Sequence, residues 1–418
     1  MSKKARVIVL ALAGLLLLSV LVYQIPKVKS AVDWRTEKFG LYVKNVFNPP
    51  GPVPTALPTS TSLPTGESQG EGIPTPTSTP EPVLTPTSLA SPTATFAPLP
   101  AQVQLTPPNW EQQTPNNCGP ATLSMALHIY GWTGTQADIA AQIKPVLQDR
   151  NVNPEELAWY VRNNVGWLNI EYRVAGDIPL LKRLLAANYP VIVESVTKLD
   201  PNDALGPNDD LWAAHYLLLT GYDDTAQTFT VQDSYHGANL TVAYSQLEND
   251  WKAFNNLYMV FYVAQEEPEL SSILGADWNA DANRQHALEL AQAETEADPQ
   301  DSYAWFNLGS NLVYFEKYDD AANAYDKSRD IGLPLRMFRY QFGPFIAYFQ
   351  SNRNEDLLAL TDYARGVTDM SEETWLWYGW ALYRNGDFKG AKDAWNKALE
   401  IRPGYVDAQY ALNFLTGP

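Results

Sequence analysis

The stretch Gln112-Gln113-Thr114-Pro115-Asn116-Asn117-Cys118-Gly119, with Pro120 to Leu127 behind it, decides how this chain is read. It holds the only cysteine in 418 residues, placed where a polar, proline-broken loop gives way to an apolar run through Ala121, Leu123, Met125, Ala126 and Leu127. That run predicts a helix ending near Tyr130-Gly131. A thiol in the first turn of a helix lies among unpaired backbone N–H groups and at the positive end of the helix dipole, and both favour thiolate over thiol. A lone cysteine in such a place is more often an inert buried side chain than a nucleophile, so its company decides.

Downstream, Thr135 caps a second helix through Ile139, Asn153-Pro154-Glu155-Glu156 opens a third, and Ile178 to Leu185 forms a fourth. The chain reads as helical to that point, with the sheet starting at the β-branched run Tyr189 to Ser195. Ala213 to Tyr222 is then a strand with His215 near its start, and Thr228 to Asp233 is the next strand, joined to it by a short hairpin through Asp223-Asp224. Antiparallel neighbours of this kind bring His215 and Asp233 within hydrogen-bonding reach. A helix-start cysteine, a strand histidine and an acid on the adjacent strand supply a nucleophile, a base and an orienting group. Cys118 would attack a carbonyl as thiolate, His215 would take the thiol proton and pass one to the leaving group, and Asp233 would fix the imidazole tautomer. Backbone N–H of Cys118 and the side-chain amide of Gln112 would hold the oxyanion, with Gln113 as the alternative donor if the loop register slips. His128 and His236 read as surface or packing residues, and Leu199 to Trp212, rich in Asp, Asn, Gly and Pro, as a rim or lid.

Gln112 to Met125, reading Gln-x5-Cys-Gly-Pro-Ala-x-Leu-x-Met, resembles the first motif of the C39-like papain-fold cysteine peptidases, whose members include the processing domains of bacteriocin exporters. His215 followed by Leu217-Leu218-Leu219 and Gly221-Tyr222, then Asp233, resembles the second and third motifs. The resemblance implies an α+β papain-like domain over residues 101–265, with Gln112, Cys118, His215 and Asp233 as its catalytic set and a peptide or protein as substrate. The sequence departs from the family pattern at Asn117, where an acid is usual, and at Ser234-Tyr235, where a proline usually follows the aspartate. No phosphate-binding loop and no six-helix membrane unit accompanies the domain, so a leader-cleaving exporter is not expected. Two other outcomes stay open, a silent papain-like scaffold and an acyl transferase using the same triad.

The rest of the chain sets the context. Net charge is -18, which argues against a nucleic-acid partner. One cysteine rules out an internal disulfide, and four histidines without a His-Glu-x-x-His spacing argue against a metal site; no cofactor is expected. Lys3, Lys4 and Arg6 precede an uncharged run from Val7 to Tyr23. Residues 1–31 thus read as a cytoplasmic tip and a single-pass transmembrane helix, with residues 7–25 in the bilayer and the remainder extracytoplasmic; a cleaved signal peptide is the competing reading. Residues 32–100 read as a juxtamembrane segment followed by a disordered Pro/Thr/Ser-rich linker.

In residues 277–418, Trp305, Leu308, Gly309, Leu312, Ala321 and Tyr325 occupy the offsets of Trp375, Tyr378, Gly379, Leu382, Ala391 and Trp395. These spacings resemble tetratricopeptide (TPR) repeats, which implies an all-α superhelix with a concave face for a protein partner. Whether that region binds a peptide or packs on the central domain stays open at this level.

Overall fold

The structure is a computed structural model and describes residues 3–57, 98–144, 146, 151–204, 206, 209–368 and 370–416. The disordered linker expected from composition falls, over residues 58–97, outside the described residues.

At the N-terminus, α1 (Lys3–Tyr23) is followed by α2 (Pro26–Phe47). No helix among the described residues is long and apolar enough to cross a membrane. This corrects the expected transmembrane helix and with it the bilayer contact through residues 7–25, the single-pass topology and the extracytoplasmic anchoring. The physical reason lies in the ends of α1. Its first turn carries Lys3, Lys4 and Arg6, and Pro26 begins a new helix. The uncharged run from Val7 to Tyr23 measures about 25 Å at 1.5 Å per residue, against a hydrocarbon core of about 30 Å.

The central domain is built on one antiparallel sheet. Its strands are β1 (Gln102–Gln104), β2 (Asn169–Arg173), β3 (Val191–Lys198), β4 (Trp212–Asp223), β5 (Thr228–Asp233), β6 (Gly237–Ala243) and β7 (Tyr258–Tyr262). The order is β2-β7-β3-β4-β5-β6, with β1 added along β4. Side chains alternate across this sheet with period two and feed two cores. Ile192, Leu218, Met259 and Phe261 meet α3 (Cys118–Ile129), α4 (Gln136–Ile143) and α5 (Pro154–Asn164) on one face. Val191, Val193, Leu217, Leu219 and Val260 meet α6 (Ile178–Ala186), α7 (Tyr244–Trp251) and α8 (Glu267–Leu274) on the other. Burial on both faces explains why the strands read as near-continuous apolar runs. The sheet does not begin at Tyr189 as periodicity suggested, since β1 and β2 precede it. β2 is only five residues long and owes its extended form to pairing with β7, about ninety residues later.

The C-terminal region comprises α9 (Ala280–Ala297), α10 (Ser302–Tyr314), α11 (Tyr318–Ile331), α12 (Gly343–Gln350), α13 (Asn354–Val367), α14 (Glu372–Arg384), α15 (Phe388–Ile401) and α16 (Val406–Thr416). The repeat glycines let paired helices close. A Cβ on Gly309 would lie 2.7 Å from the Tyr325 ring, and one on Gly379 would collide with the Trp395 indole. This region packs on the central domain. Trp212, Ala253 and Phe254 join its apolar cluster, Asn307 Nδ2 donates to Lys252 O at 2.9 Å, and Gln341 Nε2 donates to Ala253 O at 2.7 Å.

Candidate active site

Cys118 is the first residue of α3, the helix whose Leu123, Met125, Ala126 and Leu127 are fully buried in the core between helices and sheet. That burial fixes the helix and therefore the position of its first turn. Gln136, at the start of α4, ties several residues of the loop before α3 together. Its carbonyl oxygen accepts from Thr114 N at 2.8 Å and from Asn117 Nδ2 at 2.7 Å, while its amide donates to Gln112 O at 2.7 Å and Glu111 Oε1 at 3.0 Å. Asn116 turns the chain with φ of 55°, a region asparagine tolerates, and Lys144 Nζ donates to its carbonyl at 2.5 Å.

His215 stands on β4 between β3 and β5, and Asp233 ends β5 opposite Leu217. The two side chains therefore share a face as diagonal neighbours, and His215 Nε2 donates to Asp233 Oδ1 at 2.8 Å. With Nε2 engaged, Nδ1 is the nitrogen left for the Cys118 thiol, and each of the two groups favours the charged form of the other. Asp233 is itself over-determined. Oδ1 also accepts from Tyr235 N at 2.7 Å and His236 N at 2.9 Å, and Oδ2 accepts from His236 Nδ1 at 2.8 Å. The backbone after Asp233 is thus set by the carboxylate.

The electrostatics follow from burial and pairing. Burial raises the Cys118 thiol, but the hydrogen bond and charge of His215, with Lys144 further off, outweigh it and leave the thiol below its ordinary value. Burial lowers His215, yet Asp233 and Cys118 together push it up to about 9. Burial raises Asp233, while His215 and the donors from His236 hold it well below the usual carboxylate range. The directions agree: each group favours the charged form of its neighbour, thiolate beside imidazolium and imidazolium beside carboxylate.

Cys118, His215 and Gln112 line one cavity of 360 Å³. Gln112 is exposed, whereas Gln113, which also lines the cavity, has its side-chain oxygen engaged, accepting from Ser234 Oγ at 2.9 Å. Leu199, Asp200, Asp203, Gly206 and Asp209, from the stretch read as a rim, line the same cavity, as do Arg336, Arg339 and Tyr340 of the helical region. Residues 205, 207 and 208 of that stretch lie outside the described residues. His128 is elsewhere, with Nε2 at 2.7 Å from Gly134 O. Among the described residues no group of three or more His, Cys, Asp or Glu side chains could hold a metal ion.

Three residues of the site escaped sequence reasoning. His236 reads as a surface residue but binds Asp233. Gln136 carries no signal beyond its place at a helix start. Glu194, an acid inside the β-branched run of β3, sits behind Cys118 with Tyr216 in a small recess. Burial first, then the charges of Glu155 and Cys118, hold its carboxyl well above the ordinary range. An acid among Val and Ile residues was the one signal available for it.

The model of the Peptidase_C39 like family matches residues 98–259, and that of a tetratricopeptide repeat matches residues 372–405. No curated protein matches the chain. Solved structures with a similar fold include Xylellain, a cysteine protease from Xylella fastidiosa, at 18% identity over 40% of this chain and 87% of that one, with a TM-score of 0.33. The peptidase domain of Streptococcus ComA, a bi-functional ABC transporter, is 15% identical over 38% of this chain and 99% of that one, with a TM-score of 0.29. MamA from Desulfovibrio magneticus RS-1 is 14% identical over 36% of this chain and 81% of that one, with a TM-score of 0.30. The chain carries a domain of the C39-like peptidase family, residues 98–259, followed by a tetratricopeptide repeat at residues 372–405.

Proposed function

We propose that the chain is a cysteine peptidase that hydrolyses peptide or isopeptide bonds, with the repeat region forming part of the wall against which substrate or a protein partner docks. The observation that carries this reading is the line from Cys118 through His215 to Asp233, closed by the 2.8 Å hydrogen bond. Cys118 Sγ attacks the carbonyl carbon, and the developing oxyanion is met by the Cys118 backbone N–H and the Gln112 amide. The His215 imidazolium passes its proton to the leaving amine, and the acyl group stays on sulfur. Water, deprotonated by the now neutral imidazole, releases the acid and restores the thiol–imidazole pair.

The test is a peptide library incubated with the protein and read by mass spectrometry for new N-termini. Cleavage is expected with the natural chain and absent with Cys118→Ala. Intact peptides in both samples would favour the silent scaffold instead, and transfer of acyl fragments to added amines would favour the transferase.

Gln136 gives a second expectation. Gln136→Ala removes the one group that ties Thr114, Asn117 and Gln112 together. A displacement of about 1 Å at a reacting group can cost on the order of 100-fold, so turnover should fall at least 10-fold while Cys118 and His215 remain in place. The same loss of turnover with an unchanged KM marks misplacement of the oxyanion loop; unchanged turnover would remove Gln136 from that role.

A further inference from the structure

Residues 48–57 carry the proline-rich phrase Asn48-Pro49-Pro50-Gly51-Pro52-Val53-Pro54-Thr55-Ala56-Leu57. By composition this is tether, yet Val53 is only 7% exposed and lies in the apolar cluster of the repeat helices. The backbone around it is read residue by residue. Arg329 Nε donates to Pro54 O at 2.9 Å and Arg329 Nη2 donates to Thr55 O at 2.9 Å. Leu57 N donates to Asp356 Oδ1 at 3.1 Å, and Ala56 N makes a long hydrogen bond of 3.4 Å to Asp330 Oδ1. Pro52 and Pro54 have no N–H to leave unsatisfied and favour the extended form such a site needs.

The receiving side is built for this. Arg329 on α11 is 2% exposed with the segment in place, and its guanidinium is both covered by the segment and given acceptors there for two of its nitrogens. It is aimed by Asp356 at 3.0 Å and the Tyr348 hydroxyl at 2.8 Å. Arg353 in turn donates to Asp356 at 2.7 Å and to Asp326 at 3.0 Å. A planar guanidinium fixed by a carboxylate and pointing two parallel N–H groups at successive carbonyls recognises main chain, while the apolar pocket under Val53 recognises one side chain.

The segment's other end leads back to the cleft. α2, which ends six residues before Val53, places Trp34, Lys38, Leu41 and Tyr42 in the same cavity as Cys118 and His215. Lys38 pairs with Asp203 on the rim, and Lys44 Nζ donates to Gly366 O at 3.0 Å on the repeat side.

We propose that Arg329 and Asp356 form a clamp for an extended, proline-flanked peptide with a small apolar side chain, filled in cis by Val53–Leu57, and that the filled clamp holds α2 across the catalytic cleft. The covering role rests on the peptidase reading of that cleft; the clamp does not. A segment carried on the same chain as its site faces it at an effective concentration that a free peptide must exceed to displace it, so the natural chain keeps its clamp filled.

The experiment uses the full chain and a fluorescent peptide of residues 48–57. Val53→Asp alters the strap and leaves every repeat residue untouched, so release does not depend on a variant that endangers the fold. The Val53→Asp chain should bind the peptide at micromolar concentrations, and the natural chain, already filled, should bind at least 10-fold more weakly. Adding Arg329→Lys to Val53→Asp, with folding checked by circular dichroism, should abolish binding. Cys118 alkylation by iodoacetamide should also run at least fivefold faster in Val53→Asp than in the natural chain. Equal peptide binding by the natural and Val53→Asp chains would overturn the clamp. Peptide binding as expected with unchanged alkylation would overturn the covering of the cleft. Neither readout needs turnover, so absence of peptide cleavage with both changes present would defeat the peptidase reading and leave the clamp standing.

Discussion

His215→Ala should slow alkylation of Cys118 at pH 7 by about 30-fold or more. An unassisted thiol with pKa near 8.5 is about 3% thiolate at that pH, whereas the His215 pairing holds the Cys118 thiol below its ordinary value and so enlarges the ionised share. Removing the imidazole takes away both the hydrogen bond and the charge that offset burial, and burial alone pushes the thiol up. The loss should therefore exceed what simple removal of a neighbour would give. Alkylation followed by mass spectrometry of the single cysteine peptide reads this directly, because no second thiol competes. A rate unchanged within twofold would mean that His215 does not activate Cys118.

Asp233 provides the second large effect, through a contrast between two substitutions. Asp233→Ala leaves the buried His215 without the partner that raises its pKa and frees the Tyr235 and His236 amides. Peptide hydrolysis should drop on the order of 1000-fold, in line with the cost of losing the group that sets the imidazole tautomer. Asp233→Asn is a different case. Its carbonyl oxygen can take the place of Oδ1 and accept from His215 Nε2 and both amides, while its NH2 faces His236 Nδ1, which becomes the acceptor when that ring carries its proton on Nε2. The asparagine variant should keep activity within about 10-fold, as neutral amides orient the histidine of other papain-like sites. The pair of variants measured by kcat on one substrate separates orientation from charge. Equal losses in both would show that the negative charge, rather than the hydrogen-bond geometry, is what His215 needs.

The site was legible because its parts lie in short local patterns. A cysteine before an apolar helical run, a histidine in a strand and an acid ending the next strand each announce their setting within ten residues, and the hairpin joining the strands brings the last two together. Repeat spacing was legible for the same reason, since Gly309 and Gly379 sit where Tyr325 and Trp395 must approach. Gln136, Glu194 and His236 were not legible, because their roles depend on which distant groups surround them. Gln136 meets a loop about twenty residues earlier, and Glu194 meets Cys118 only when β3 is stacked behind α3.

The N-terminal region failed for a different reason. Hydropathy weighs the run from Val7 to Tyr23 by its apolar content, but the charges in its first turn and the break at Pro26 limit its length. Composition likewise has no means of seeing Arg329, about 275 residues from Pro54, and it is that side chain which gives a proline-rich stretch a fixed place.

The most direct measurement is the pH dependence of Cys118 alkylation, with each rate normalised to its own plateau so that coverage of the cleft cancels. The thiol held below its ordinary value by His215 predicts a rate that half-titrates below about 8.5. In His215→Ala the half-point should move above 8.5. A natural chain whose Cys118 half-titrates at or above 8.5, as a free or buried thiol does, would contradict the activated nucleophile on which the proposed function stands.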